Sequence, residues 1–177
     1  VASAGSFEEV VLPHLDAAYR LARWLTGRSH EAEDLVQEAS LRAFRYLHTF
    51  TGGNARAWFL KIVRNTCYQW RGRAARAVTD VFDEQLHSDV QPTGDPEALF
   101  ARAEGSALIE RALNELPLRF RELLVLRELE GLSYRELADV GGIPVGTVMS
   151  RLSRARQALH HALTALEHKR SAKRQCA

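Results

Sequence analysis

Val148, Leu152, Ala155 and Leu159 fall three or four residues apart, a spacing that on a helix turns Met149, Ser150, Ser153, Arg154 and Arg156 to the opposite side. Short polar and arginine side chains on an exposed helix face suit the major groove of DNA. There arginine can donate to guanine O6 and N7, and serine can serve phosphates or base edges. The residues just upstream supply what such a helix needs. Ser133 and Glu136 have the spacing of a capping box, Leu137 and Ala138 are expected to face a core, and Gly141 and Gly142 permit the backbone to reverse, so that a second helix begins near Val145. A helical hairpin with a merely solvated charged face is the bland alternative. The cap, the glycine turn and the basic outward face occur together at the lengths a helix-turn-helix requires, which favours duplex recognition.

Covalent chemistry has no foothold. No nucleophile, base and orienting group can be assembled, and there is neither a glycine-rich phosphate loop nor a set of metal-ligand spacings, so no cofactor, metal or small-molecule substrate is expected. Cys67 and Cys176 lack a neighbouring Cys or His at ligand spacing; Cys67 is expected to be a small buried thiol and Cys176 to be exposed. His160, His161 and His168 are expected on an exposed tail, solvated and without a metal.

The net charge of +2 conceals a segregated distribution. Arg56, Lys61, Arg64, Arg71, Arg73 and Arg76 follow one another with no acid between Ala55 and Arg76, whereas Asp80, Asp83, Glu84, Asp89, Asp95 and Glu97 follow with no Lys or Arg between Ala77 and Ala101. Beyond Val145 the chain is basic again. Two basic blocks around an acidic spacer imply two polyanion contacts and a middle segment repelled from DNA.

The elements that must carry these residues are all helical. Phe7–Thr26 repeats apolar residues at helical intervals through Val11, Leu15, Ala18, Leu21, Ala22 and Leu25, with a bend at Pro13 and a stop at Gly27. Ser29 is placed to cap a second helix running to about Leu47, with Glu31, Glu33 and Asp34 in its first turn and an apolar pattern through Leu35, Ala39, Leu41 and Phe44. After the loop Thr51–Asn54, Ala55–Arg73 reads as a third helix, with Trp58, Phe59, Ile62, Val63 and Thr66 mostly inward; Trp24 is assigned to packing. Periodicity fails between Ala77 and Pro96, and helical order resumes near Leu99 until Pro117 interrupts it. The expectation is an all-α chain of two small bundles, 1–76 and 99–177, joined by an acidic linker at 77–98. No apolar run approaches the ~20 residues of a membrane span, and the N-terminal stretch has no secretory pattern, so a cytoplasmic protein with no membrane insertion is expected.

Leu116–Leu159, with Glu130-Gly131-Leu132-Ser133-Tyr134 and Pro144-Val145-Gly146-Thr147-Val148-Met149-Ser150-Arg151-Leu152, resembles the fourth conserved region of bacterial sigma factors, most closely those of the extracytoplasmic-function group. Ala32-Glu33-Asp34-Leu35-Val36-Gln37-Glu38 is similar to that family's polymerase-binding helix, and Ala57-Trp58-Phe59-Leu60-Lys61-Ile62-Val63-Arg64-Asn65-Thr66 to its promoter-melting helix. The resemblance implies a dissociable, non-enzymatic subunit that binds core RNA polymerase, places it on promoters and opens the duplex. It also implies a stress or envelope response and an anti-sigma factor that holds the chain inactive. On this reading Asp34, Leu35, Val36, Gln37 and Glu38 face the polymerase, while Thr147 and Arg151 join Met149, Ser150, Ser153, Arg154 and Arg156 at the upstream promoter element. Relatives often carry a basic residue where Met149 stands, which shifts specificity towards Ser150, Ser153 and Arg154.

For melting, Lys61, Asn65, Tyr68 and Gln69 form a polar side, with Arg64, Arg71 and Arg73 available to phosphates. By the resemblance, Asn65 holds a base flipped out of the single-stranded non-template strand and the Phe50–Asn54 loop receives it. Asparagine offers both a donor and an acceptor to a Watson–Crick edge. Trp58 and Trp70 are the aromatic candidates for base stacking, although the position of Trp58 reads more naturally as core. The acidic linker is expected to thread a basic channel of the polymerase. The rival reading is a stand-alone helix-turn-helix regulator, which would bind its operator without polymerase.

Overall fold

The computed structural model describes residues 5–77 and 96–175. Its helices are α1 (Phe7–Val10), α2 (Leu15–Thr26), α3 (Ser29–Tyr46), α4 (Ala55–Ala77), α5 (Pro96–Glu115), α6 (Leu118–Leu124), α7 (Tyr134–Gly141) and α8 (Val145–Gln175). Short 3-10 turns cover Leu12–His14 and Leu47–Thr49, a π-helical turn covers Val125–Leu129, and no strand occurs among the described residues. The acidic segment 78–95 and Cys176 lie outside the described residues.

The first bundle packs α2, α3 and α4 against one another. Leu21, Leu25, Ala32, Leu35, Ala39, Phe59, Leu60, Val63 and Cys67 are buried in its core. What the periodicity presents as one bent helix is interrupted: α1 stops at Val10, a 3-10 turn carries Pro13, and α2 starts afresh at Leu15. Proline has no N–H to continue an α-helical ladder, and it sits instead in the first positions of the tighter turn. Gly27 ends α2 at φ +79°, a left-handed conformation costly for residues with a Cβ, and its N–H donates to Arg23 O at 2.8 Å. Ser29 does not cap α3. Arg28 occupies the cap position, and the Ser29 hydroxyl instead accepts from Arg23 Nη1 at 2.7 Å.

The second bundle packs α5, α6 and α7 against the long α8. Pro96 is the first residue of α5, where a missing N–H breaks no helical bond. Arg121 stitches the α5–α6 corner by donating to the carbonyls of Leu113 (2.9 Å), Asn114 (2.6 Å) and Leu116 (3.3 Å) at and just beyond the end of α5. The same side chain reaches Trp24 O on α2 at 3.3 Å. Helix α8 runs on to Gln175, so the exposed His160, His161 and His168 lie on a helix surface. The buried apolar residues of the two bundles form one continuous cluster, with α4 lying against α7 and α2 against α6. No described helix is long and apolar enough to cross a membrane.

Candidate nucleic-acid interface

The helix-turn-helix is built as its sequence demands. Ser133 Oγ accepts from the Glu136 N–H at 3.3 Å, and Glu136 Oε2 accepts from the Ser133 N–H at 2.7 Å, so two of the orphan donors at the start of α7 are satisfied reciprocally. Gly142 closes α7 at φ +62° and its N–H donates to Ala138 O. Leu137, Val140, Val148, Leu152 and Ala155 are buried between α7, α8 and the rest of the bundle. That burial fixes the rotation of α8, and Met149 (53% exposed), Ser150, Ser153, Arg154 and Arg156 all project into solvent. Thr147 and Arg151 flank them, half-buried. Arg156 donates to Glu128 Oε1 at 2.7 Å, an exposed pair of the kind that water and salt readily replace.

The polar side of α4 is in a different situation. Lys61, Asn65 and Gln69 are exposed, but the neighbouring groups are held by carboxylates of the second bundle. Arg64 Nε donates to Glu122 Oε1, and Tyr68 Oη donates to Glu122 Oε2 at 2.6 Å, with the Arg64 guanidinium 4.5 Å from the Tyr68 ring centre. Burial and the Glu122 carboxylate together push the Tyr68 phenol well above its ordinary pKa. Asn54 is used at both ends: its Oδ1 accepts from the Ala57 N–H at 3.1 Å, capping α4, and its Nδ2 donates to Glu136 Oε1. Gln69 Oε1 accepts from Arg42 Nη1 at 2.6 Å, and Asn65 Oδ1 accepts from Arg64 Nη1 at 3.3 Å. Arg71 donates to Leu25 O at 3.0 Å, at the negative end of α2. Trp58 packs against the core with its ring centre 5.4 Å from that of Phe50, and Trp24 and Trp70 pack against the core as well.

Two carboxylates that the sequence reading passed over complete this contact. Glu130 is 1% exposed and receives Arg20 Nε and Nη2 at 2.8 and 3.1 Å, together with Arg56 Nη2. Glu122, also buried, receives Arg64 and Tyr68. Residues eight apart on an α-helix miss a whole number of turns by about 80°, so regular geometry would aim these acids in different directions. The π-helical turn between them, in which the Glu130 N–H donates to Val125 O at 3.1 Å, widens the helix and lets both carboxylates meet the first bundle. Glu122 directly before the apolar run Leu123–Leu126 is all that the sequence displays of this contact; the π turn has no mark in it.

On α3, Asp34 and Gln37 are exposed and Val36 and Glu38 half-buried, with Glu38 accepting from Arg42 Nη2. Leu35 departs from the expectation that it faces a partner. At 3% exposed it belongs to the core, because Ala32, Leu35, Ala39 and Ala43 form the inward stripe of this helix. The same rotation leaves Leu41 and Phe44, which continue the apolar pattern, out of the core: they stand 62% and 65% exposed. With Phe7, Leu12, Tyr19 and Val36 they line a cleft of about 830 Å³, with the Phe7 and Phe44 rings edge to face at 5.6 Å.

Comparison with known proteins agrees with both halves. Residues 10–77 match sigma-70 region 2 and residues 106–159 match sigma-70 region 4. The ECF RNA polymerase sigma factor SigE of Mycolicibacterium smegmatis is 35% identical over 158 residues, covering 89% of this chain and 62% of its own length. The RNA polymerase sigma-H factor of Pseudomonas aeruginosa is 35% identical over 170 residues, covering 91% of this chain and 88% of its own. Among solved structures, the sigma factor RpoE in complex with the anti-sigma factor NepR from Bartonella quintana superposes with a TM-score of 0.73 at 31% identity, over 89% of this chain and 96% of that one. CnrH in complex with the cytosolic domain of CnrY gives 0.62 at 28% identity, over 90% and 88%. With a region 2 bundle and a region 4 helix-turn-helix in that order and relatives matched over most of its length, the chain belongs to the extracytoplasmic-function sigma factors of the sigma-70 family.

Proposed function

We propose that the chain binds core RNA polymerase, directs it to a set of promoters and holds the opened strand while transcription starts. The observation that carries this reading is the presence of two different nucleic-acid faces on one chain: an outward Ser/Arg face on α8 behind a capped turn, and a polar face on α4 in a separate bundle. Thr147, Met149, Ser150, Arg151, Ser153, Arg154 and Arg156 read the upstream duplex element, where an arginine fork and short hydroxyls match base edges and phosphates. Asn54, Lys61, Arg64, Asn65, Tyr68, Gln69 and Arg71 serve the single-stranded non-template strand, Asn65 holding a flipped base. Arg71, tied to α2, also braces the bundle. Asp34, Val36, Gln37 and Glu38, with the exposed Leu41 and Phe44 beside them, form the polymerase-facing surface: an apolar patch rimmed by acids. The polymerase supplies the catalysis. The likeness to RpoE, solved with the anti-sigma factor NepR, supports an anti-sigma factor that holds this chain inactive until a stress signal releases it.

The test is transcription in vitro from a library of genomic fragments with core polymerase, with and without the chain. New start sites sharing an upstream and a downstream element are expected, and their absence would sink the reading. With a promoter in hand, Asn65→Ala should leave polymerase binding unchanged and reduce permanganate reactivity of unpaired thymines, with recovery on a promoter whose downstream element is already mismatched.

A further inference from the structure

Arg20 sits on α2 and Arg56 at the start of α4, outside every motif that the family resemblance covers with a role, yet both point at one buried oxygen pair. We propose that Arg20 and Arg56 form a seat for a backbone phosphate of the promoter single strand, and that Glu130 of the second bundle fills this seat when the two bundles are closed on each other. The inference rests on the functional reading above and extends it to residues that reading leaves idle.

The asymmetry of burial identifies the host and the guest. The Arg20 and Arg56 side chains are 48% and 33% exposed, whereas that of Glu130 is 0% exposed. The arginines therefore belong to the surface of the first bundle, and the acid is inserted between them. Arg20 presents Nε and Nη2 as a fork to the two carboxylate oxygens at 2.8 and 3.1 Å, and Arg56 adds a third donor to Oε2. A fork of this kind fits the oxygens of a phosphate as well as those of a carboxylate. The location suits a strand leaving the melting helix: Arg56 lies two residues from Asn54, and Arg64, eight residues on along α4, is about 12 Å further along the axis. Glu136 holds Asn54 and Glu122 holds Arg64 in the same closed contact. Three carboxylates of the second bundle thus occupy successive positions of one track on the first, as the phosphates of a strand would. The π turn is the local irregularity that brings Glu130 into line with Glu122. Breaking a helix's regular ladder for a surface acid has no structural return unless the acid's landing place matters.

The test uses the full chain and fluorescently labelled oligothymidylate, which carries phosphates without a promoter sequence. Glu122→Gln with Glu130→Gln should raise affinity at least tenfold over the unaltered chain, because the neutral amides no longer hold the seat. Adding Arg20→Ala and Arg56→Ala should cancel most of that gain and lower the salt slope by about 0.7, the share of one single-strand phosphate. A four-residue variant with the same affinity and slope as the double glutamine variant overturns the seat, as does binding of a polyglutamate peptide at these arginines in place of the oligonucleotide, which would make the ligand an acidic protein segment. If the double glutamine variant loses cooperative unfolding, the decision passes to the holoenzyme, where polymerase holds the chain. There Arg20→Ala with Arg56→Ala should leave polymerase affinity intact and lower open-complex formation about tenfold; equal opening overturns the proposal. A holoenzyme that initiates nowhere even with the unaltered chain defeats the sigma-factor reading itself, and the oligothymidylate arm still decides the seat.

Discussion

Ser150, Ser153 and Arg154 on α8 stand in solvent, ready for a groove, while Asn54, Arg64 and Tyr68 on the melting side are each already bonded to a carboxylate of the opposite bundle. Both surfaces are rich in arginine and short polar groups, so composition does not separate them. What separates them is the neighbour each was given. The α8 face is set by an apolar stripe beneath it and needs nothing above, whereas the α4 face is paired with acids that take the place of DNA. The arrangement suits an order of events in which duplex recognition comes first and strand capture requires the bundles to part. A carboxylate enclosed in such a contact is costly unless fully bonded, and Glu122 and Glu130 are fully bonded only while the bundles are closed.

The comparison can be broken most severely from beneath. Leu152 is 1% exposed under the recognition face, and Leu152→Ala should destabilise the second bundle by about 2–5 kcal/mol, the range for emptying a core leucine site. Thermal unfolding should shift downwards, and upstream-element binding and closure on the first bundle should fail together; retention of either would show that the two faces do not share this platform. Arg154→Ala tests the open surface alone. Loss of about 1–3 kcal/mol of upstream-element binding is expected from one arginine–guanine fork, read by titrating duplex with unaltered closure; unchanged affinity would return Arg154 to the solvated face. Tyr68→Phe tests the closed surface alone. Its hydroxyl bond to Glu122 is worth about 1.5 kcal/mol, the low end for a charged partner because Arg64 remains. The distance between probes placed on the two bundles should lengthen on average, and an unaltered distance distribution would mean that Arg64 holds the contact unaided.

The smallest effect is one of pH. Burial first and the nearby Arg56 second hold the His14 pKa below its ordinary value. The folded bundle therefore takes up a proton at His14 less readily than the unfolded chain. Stability is full above the ordinary histidine range and declines as pH falls through that range towards the lower folded value. His14→Gln should flatten this part of the stability profile measured by denaturant titration; an unchanged slope assigns the proton uptake elsewhere.

The all-helical class, the capped helix-turn-helix and the outward residues of α8 were legible because each rests on a local rule: a three-four spacing, a Ser-x-x-Glu box, a glycine after the last turn. The site was legible where a residue's direction follows from its own helix, as with Met149 and Ser153. It was not legible where direction depends on a partner element. Leu35 and Leu41 both satisfy an apolar pattern on α3, and only packing against α2 and α4 decides that the stripe is Ala32, Leu35, Ala39 and Ala43. Glu122 and Glu130 look like ordinary surface acids until a π turn, unmarked by residue type, aligns them with arginines more than 50 positions away in sequence.

Cys67 offers a clock for the packing beneath these contacts. It lies on the inner side of α4, fully buried, and burial pushes its thiol up to about 12, far from the thiolate form that reacts. An alkylating reagent in neutral buffer reaches it only when the packing around α4 opens. Alkylation kinetics at Cys67 therefore count excursions out of the closed, packed state and not the rocking of surface side chains.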